Sequence, residues 1–236
     1  MALPKLNAPS YELTIPSLNK TITYRPYLVK EEKILMMAME SNDDRQMIRA
    51  IKDVISACTN DTVDTGHITM FDMEYIFTQL RSKSVGETVQ VSMKCEECET
   101  ANEVSIDLND VRVSSTEEVS DTIELTDTVG VKMKYPSVDS VLNSRTDQNS
   151  NNVEKIFSLL IECIDSIYSG EEIFDAAAQS RQELSEFIES LNSEQFARVR
   201  KFVENIPATE LPVSFQCTNC GHKNNTTLRG LANFFG

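Results

Sequence analysis

Two Cys-x-x-Cys pairs constrain this chain more than anything else in it. Cys95 and Cys98 stand in Lys-Cys-Glu-Glu-Cys-Glu-Thr; Cys217 and Cys220 stand in Gln-Cys-Thr-Asn-Cys-Gly-His. Together they take four of the six cysteines. A two-residue spacer lets both sulfurs of a pair face one point, and four thiolates satisfy a tetrahedral zinc ion with no position left for water or substrate. Val89, Val91 and Met93 alternate before the first pair, and Val104, Ile106 and Leu108 after it. Val213 and Phe215 lead into the second pair, and Thr226 and Leu228 lead out. This period of two is that of strands, so each pair sits on a hairpin. Gly221, directly after the second pair, suits the tight turn. The spacing predicts one structural zinc ribbon, ligated by Cys95, Cys98, Cys217 and Cys220, with halves far apart in sequence. Closing so long a loop costs entropy that grows only slowly with length. Structural zinc contributes roughly 10–16 kcal/mol in small peptides, which is enough to hold the ends together.

Redox chemistry is the rival use of such pairs. A redox Cys-x-x-Cys caps a helix, which lowers the thiolate pKa; here both pairs are flanked by strand-like sequence. Cys58 and Cys163 fall on apolar helical stripes and read as small buried hydrophobes. The two histidines add little: His67 lies in the polar stretch Thr-Asn-Asp-Thr-Val-Asp-Thr-Gly-His, and His222 is superfluous beside four thiolates. With no nucleophile motif, no glycine-rich phosphate loop and no tryptophan, the expectation is a protein that is not an enzyme and takes no small-molecule substrate.

The rest of the chain reads as α+β, a helical body combined with short antiparallel hairpins and the discontinuous four-cysteine ribbon. Alternation at Tyr11, Leu13 and Ile15, then at Ile22 and Tyr24, predicts an N-terminal hairpin. Helical spacing predicts helices over Lys30 to Met39, Asp43 to Cys58 and Met70 to Ser82. Short strands follow at Ile123/Leu125 and Val131 to Tyr135. Asp139 to Asn152 reads as a polar loop. Ile156, Phe157, Leu160, Ile161, Ile164 and Ile167 predict a helix ending near Gly170, with two more around Leu184 to Leu191 and Ser193 to Ile206. The implied division is 1–27, an arm and hairpin; 28–85, a first helical block; 86–108 with 209–230, the ribbon; 109–152, an acidic hairpin region and polar loop; 153–208, a second helical block; and 231–236, an apolar tail.

A formal charge of −15 and a pI near 4.6 argue against nucleic acid and against anionic membrane as partners. No secretory signal is visible at the start, and the apolar runs are too short to span a bilayer, so a reducing compartment is expected. From Glu96 to Asp127 there are eleven acidic residues and one arginine, Arg112. That run reads as a solvated face or as a docking surface for a basic partner. The basic side around Arg198, Arg200 and Lys201 could meet acid in the chain itself or in a partner. Met36, Met37 and Met39 read as core, or as an adaptable contact surface. The apolar tails at Leu3, Leu6 and 230–236 must bury on this chain or on a neighbour.

Several segments are familiar. Tyr24-Arg-Pro-Tyr-Leu-Val-Lys-Glu-Glu-Lys-Ile-Leu resembles the opening of the baseplate hub proteins of T-even-type contractile-tailed phages. The similarity continues through Phe71-Asp-Met-Glu-Tyr-Ile, Leu80-Arg-Ser-Lys-Ser-Val-Gly-Glu, both cysteine pairs, Lys134-Tyr-Pro-Ser and the closing Gly-Leu-Ala-Asn-Phe-Phe. Cys95, Cys98, Cys217 and Cys220 match the family pattern, as do Arg25, Pro26, Glu32 and Lys33. The resemblance implies a structural or assembly protein of the phage tail, located in the virion baseplate after assembly in the host cytoplasm, whose partners are other baseplate and tail hub proteins. The alternatives are a hub assembly chaperone absent from the finished particle, a zinc-ribbon nucleic-acid binder, or a thiol redox factor.

Overall fold

Alternating apolar residues build the first element of the computed structural model, which describes residues 7–114, 120–144 and 152–230. Strands β1 (Tyr11–Ile15) and β2 (Lys20–Tyr24) pair antiparallel, Leu13 opposite Ile22. Period two puts Leu13, Ile15, Ile22 and Tyr24 on the buried face. Three helices follow: α1 (Val29–Glu40), α2 (Asp44–Cys58) and α3 (Met70–Ser84). Asp43 caps α2 by accepting the Arg45 N–H, and Thr69 caps α3 by accepting that of Asp72. The buried Asp72 also takes the Ser17 N–H at 3.0 Å and the Thr69 hydroxyl at 2.7 Å, which pins the β1–β2 loop to the start of α3.

Strands β3 (Thr88–Lys94) and β4 (Ala101–Asp107) form the second hairpin, and β5 (Arg112–Val113) leads out of it. Then come β6 (Thr122–Glu124), β7 (Val129–Met133), α4 (Val138–Ser144), α5 (Asn152–Cys163), β8 (Ile164–Ser169), β9 (Glu172–Asp175), α6 (Arg181–Glu189) and α7 (Ser193–Glu204). Finally β10 (Thr209–Gln216) and β11 (Lys223–Arg229) are the last strands among the described residues. The architecture is therefore α+β: seven helices and small antiparallel sheets among the described residues.

The chain forms two units, Met1–Ser114 with Ala208–Gly236, and Ser115–Pro207. In the first, β10 sits between β11 and β5. Its departure and return points are tied together: the Ser114 N–H donates to the Ala208 carbonyl at 2.9 Å, and the Ala208 N–H donates to Ser114 Oγ at 2.9 Å. In the second, β6-β7-β8-β9 make one antiparallel sheet. Leu125, Val131, Met133, Leu160, Ile164, Leu184, Ile188, Val199 and Phe202 form its core with α5, α6 and α7. Phe157 stacks on Phe196, and Tyr135 on Phe202, at centroid separations of 5.3 and 5.4 Å.

Two expectations need correction here. The helix expected to run to Gly170 stops at Cys163, and Ile164–Ser169 is strand β8. Ile164, Ile167 and Tyr168 fit a pleated surface as well as a helical stripe. Backbone bonding to β7 on one side and β9 on the other decides in favour of the strand. The loop expected over Asp139 to Asn152 contains α4 in its first part; Ser137 starts it by accepting the Ser140 N–H at 3.1 Å, and 145–151 lie outside the described residues. So do Leu3, Leu6 and the 231–236 tail. Met36, Met37 and Met39, weighed between core and an adaptable contact surface, are exposed on α1, as the second alternative requires.

Candidate metal centre

Each cysteine pair occupies the tip of a hairpin whose register leads straight into it. Lys94 opposes Ala101 in one, and Gln216 opposes Lys223 in the other. The two tips then repeat the same turn. The Cys95 N–H donates to the Thr100 carbonyl at 3.0 Å, and the Glu99 N–H returns to the Cys95 carbonyl at 2.9 Å. In the other tip the Cys217 N–H donates to the His222 carbonyl at 2.8 Å, and the Gly221 N–H to the Cys217 carbonyl at 3.0 Å. The turn needs a left-handed residue just after the second cysteine. Gly221 supplies it at φ +75°, and Glu99 adopts it at φ +56°.

The hairpins meet through their apolar faces. Val91, Val104 and Ile106 share one core with Leu108, Val111, Leu211 and Val213, flanked by Met93, Phe215 and Leu228. Fully burying such a side chain contributes roughly 1.5–3 kcal/mol, so side-chain packing already brings the tips together. All four sulfurs lie within 4.8 Å of one another. Across the hairpins, Cys95 Sγ is 3.7 Å from Cys220 Sγ, and Cys98 Sγ is 3.6 Å from Cys217 Sγ. A disulfide needs about 2.05 Å, whereas a tetrahedron with metal–sulfur bonds of about 2.3 Å has edges of about 3.8 Å. The four cysteines are therefore close enough to bind one metal ion, in an arrangement of the right size and donor type. Cys95 and Cys217 are buried, and Cys220 is exposed.

The thiols do not ionise as equals. Hydrogen bonding at Thr100, whose hydroxyl is 3.3 Å away, brings Cys98 down to about 6. Backbone N–H groups, that of Cys220 first, lower Cys217. At Cys220 the His222 N–H pulls downward, but Cys98, burial and the other sulfurs outweigh it and push the thiol up to about 12. Four sulfurs so close cannot all carry charge unless a cation joins them.

Elsewhere the candidates separate. Cys58 and Cys163 are buried apart from this cluster, and burial pushes them up to about 11 and about 12. His67 is an exposed residue whose Nδ1 pairs with Asp64 at 2.8 Å. The imidazole of His222 is outside the sulfur cluster; its carbonyl serves the turn. Arg198 and Arg200 pair within their own helix, with Glu194 at 2.7 Å and Glu204 at 3.1 Å. Sequence reasoning missed Asn102 and Asn224, both buried beside the sulfurs. The signal was available, since each stands four residues after the second cysteine of its pair.

Comparison with known proteins gives a match over residues 8–236 to a family described as T4 bacteriophage base plate protein. The chain is also similar to the baseplate hub assembly protein gp26 of Enterobacteria phage T4, with 23% identity over 226 residues, covering 95% of this chain and 97% of that protein. No solved structure matches the chain.

Proposed function

Because this chain belongs to the T4 bacteriophage base plate protein family, we propose that it is a non-enzymatic component of a phage baseplate hub, a rigid adaptor between other tail proteins. The observation that carries this reading is the match along nearly the whole chain, 8–236. On this reading Cys95, Cys98, Cys217 and Cys220 hold one structural zinc ion, whose role is to tie two distant hairpins into one body and to balance the charge of four thiolates. The sulfur separations of 3.6 and 3.7 Å support it.

The partners are other baseplate and hub proteins rather than nucleic acid or membrane. A charge of −15 supports this, and no described helix is long and apolar enough to cross a bilayer. On α1 the exposed Val29, Met36, Met37 and Met39 offer apolar area of the adaptable kind that protein contacts use. A second reading is favoured by the T4 relative, which is a hub assembly protein: the chain helps to build the hub and leaves. Mass spectrometry of purified particles separates the two. Stoichiometric copies in finished baseplates support the structural component, and absence there supports the assembly factor. Metal analysis of the purified chain should return one zinc per chain and four protected thiols. Labile disulfides without metal would overturn the centre in favour of thiol redox chemistry.

A further inference from the structure

Both hairpins carry one eight-residue pattern, Cys-x-x-Cys-x-x-x-Asn, at 95–102 and 217–224. The two asparagines are 5% and 1% exposed, an unusual depth for an amide unless every polar atom is used. Each is used twice over, and crosswise. Asn102 Oδ1 accepts the Thr218 N–H at 2.9 Å and the Thr218 hydroxyl at 3.0 Å. Its Nδ2 donates to Cys217 Sγ at 3.7 Å and to the Thr100 carbonyl of its own turn at 2.8 Å. Asn224 mirrors this. Its Oδ1 accepts the Glu96 N–H at 2.9 Å, and its Nδ2 donates to Cys95 Sγ at 3.6 Å and to the His222 carbonyl of its own turn at 3.2 Å.

A backbone N–H can only donate, so each amide oxygen must face it and each NH2 must face the sulfur. No other side chain of this size offers one acceptor and two donors on one planar group. Each asparagine is thus rooted in one hairpin and grips the first cysteine of the other, by its sulfur and by the N–H that follows it. The sulfurs gripped are Cys95 and Cys217, the two buried ones, which have least help from water.

We infer that Asn102 and Asn224 are reciprocal positioning residues of the four-thiolate centre, each holding the opposite tip in place for metal capture and donating to its buried thiolate. The inference rests on the metal reading above. Hydrogen-bond partners of ligands typically change metal affinity 10–100-fold, and that is the size of effect expected here.

The test uses the full chain loaded with zinc or cobalt(II) against a competing chelator. Asn102→Asp and Asn224→Asp keep the shape and the acceptor but set a carboxylate against the thiolate. Each should still bind one metal, with an unchanged four-thiolate cobalt spectrum and affinity lowered 10–100-fold, while the Thr218 or Glu96 N–H stays protected from hydrogen exchange. Asn102→Ala should lose affinity and also lose protection at Thr218, on the other hairpin, and Asn224→Ala at Glu96. Aspartate variants binding as tightly as wild type would overturn the inference and leave the centre standing. A wild-type chain that takes up no metal would overturn both.

Discussion

Two residues in equivalent positions solve the same turn at different cost. Gly221 and Glu99 both lie in the left-handed region, which costs a residue with a side chain about 1–2 kcal/mol. Replacing Glu99 by glycine removes that strain but frees the unfolded chain by about 0.5–1 kcal/mol. Glu99 is exposed and gives up little packing, so the strain term wins. Glu99→Gly should stabilise the chain by about 0.5 kcal/mol in denaturant unfolding, and Gly221→Ala should weaken it by about 1 kcal/mol; the reverse signs would show that the turn is not under this constraint. A second residue-scale case is Glu31, 3% exposed. It accepts from Arg25 Nη2 at 2.8 Å and from the Leu28 N–H at 2.9 Å. Burial pushes its carboxyl up, but Arg25, the Leu28 N–H and Lys30 outweigh it and hold the group below the usual glutamate range. A carboxyl depressed on folding stabilises above its unfolded value, about 4.3, and loses that contribution as pH falls through the folded value. Glu31→Gln should therefore unfold more easily at neutral pH, by on the order of 2 kcal/mol since Arg25 keeps partial contact with water. The gap to wild type should close as pH falls below about 4; a gap that does not change with pH would remove the ion pair from the account.

At the scale of elements, strand β7 depends on a missing side chain. A Cβ on Gly130 would stand 2.7 Å from the Ile123 carbonyl of β6 and would collide with the Tyr168 ring of β8. Gly130→Ala should cost about 2 kcal/mol in thermal or denaturant unfolding. Adding Tyr168→Ala should restore only part of it, because the ring can be removed and the β6 carbonyl cannot; full recovery would mean that the ring alone sets the limit. The same sheet marks where local sequence stops being informative. The β1–β2 hairpin, α2 and both cysteine tips were legible because hydrophobic period and cysteine spacing agree over a few positions. Strand β8 was not, because Ile164 and Ile167 continue the α5 stripe and only pairing with β7 and β9 tells strand from helix. Strand β9 is exposed along its length and has no burial pattern to read. At the centre, the four sulfurs were legible from spacing alone. Asn102 and Asn224 repeat one offset from their cysteines in the sequence, but what they do is set by contacts that cross from one hairpin to the other, which spacing does not show.

At the scale of the molecule, the metal reading and the two-unit organisation together predict how the chain should come apart. The four cysteines join β3–β4 to β10–β11 across a sequence gap that contains the whole of Ser115–Pro207. That segment has its own sheet and its own core, and no cysteine of the cluster lies within it. The remaining ties across the gap, β5 with β10 and Ser114 with Ala208, rest on hydrogen bonds and on the shared core around Leu211, not on the ion. Stripping the metal with a strong chelator should therefore act on one unit only. Amides of β3, β4, β10 and β11 should lose protection from hydrogen exchange, while those of α5, β7 and β8 keep theirs, and a single melting transition should split into two with the metal-bearing unit unfolding first. Apolar packing should hold the stripped hairpins partly together, so the lost stability should fall short of the roughly 10–16 kcal/mol that zinc gives peptides with no core of their own. Loss of protection spread evenly over both units would mean that the chain unfolds as one body and that the cysteine centre supports more than the hairpins it joins. No change anywhere would mean that side-chain packing alone maintains the fold, and that the four sulfurs are near one another without a metal to hold them.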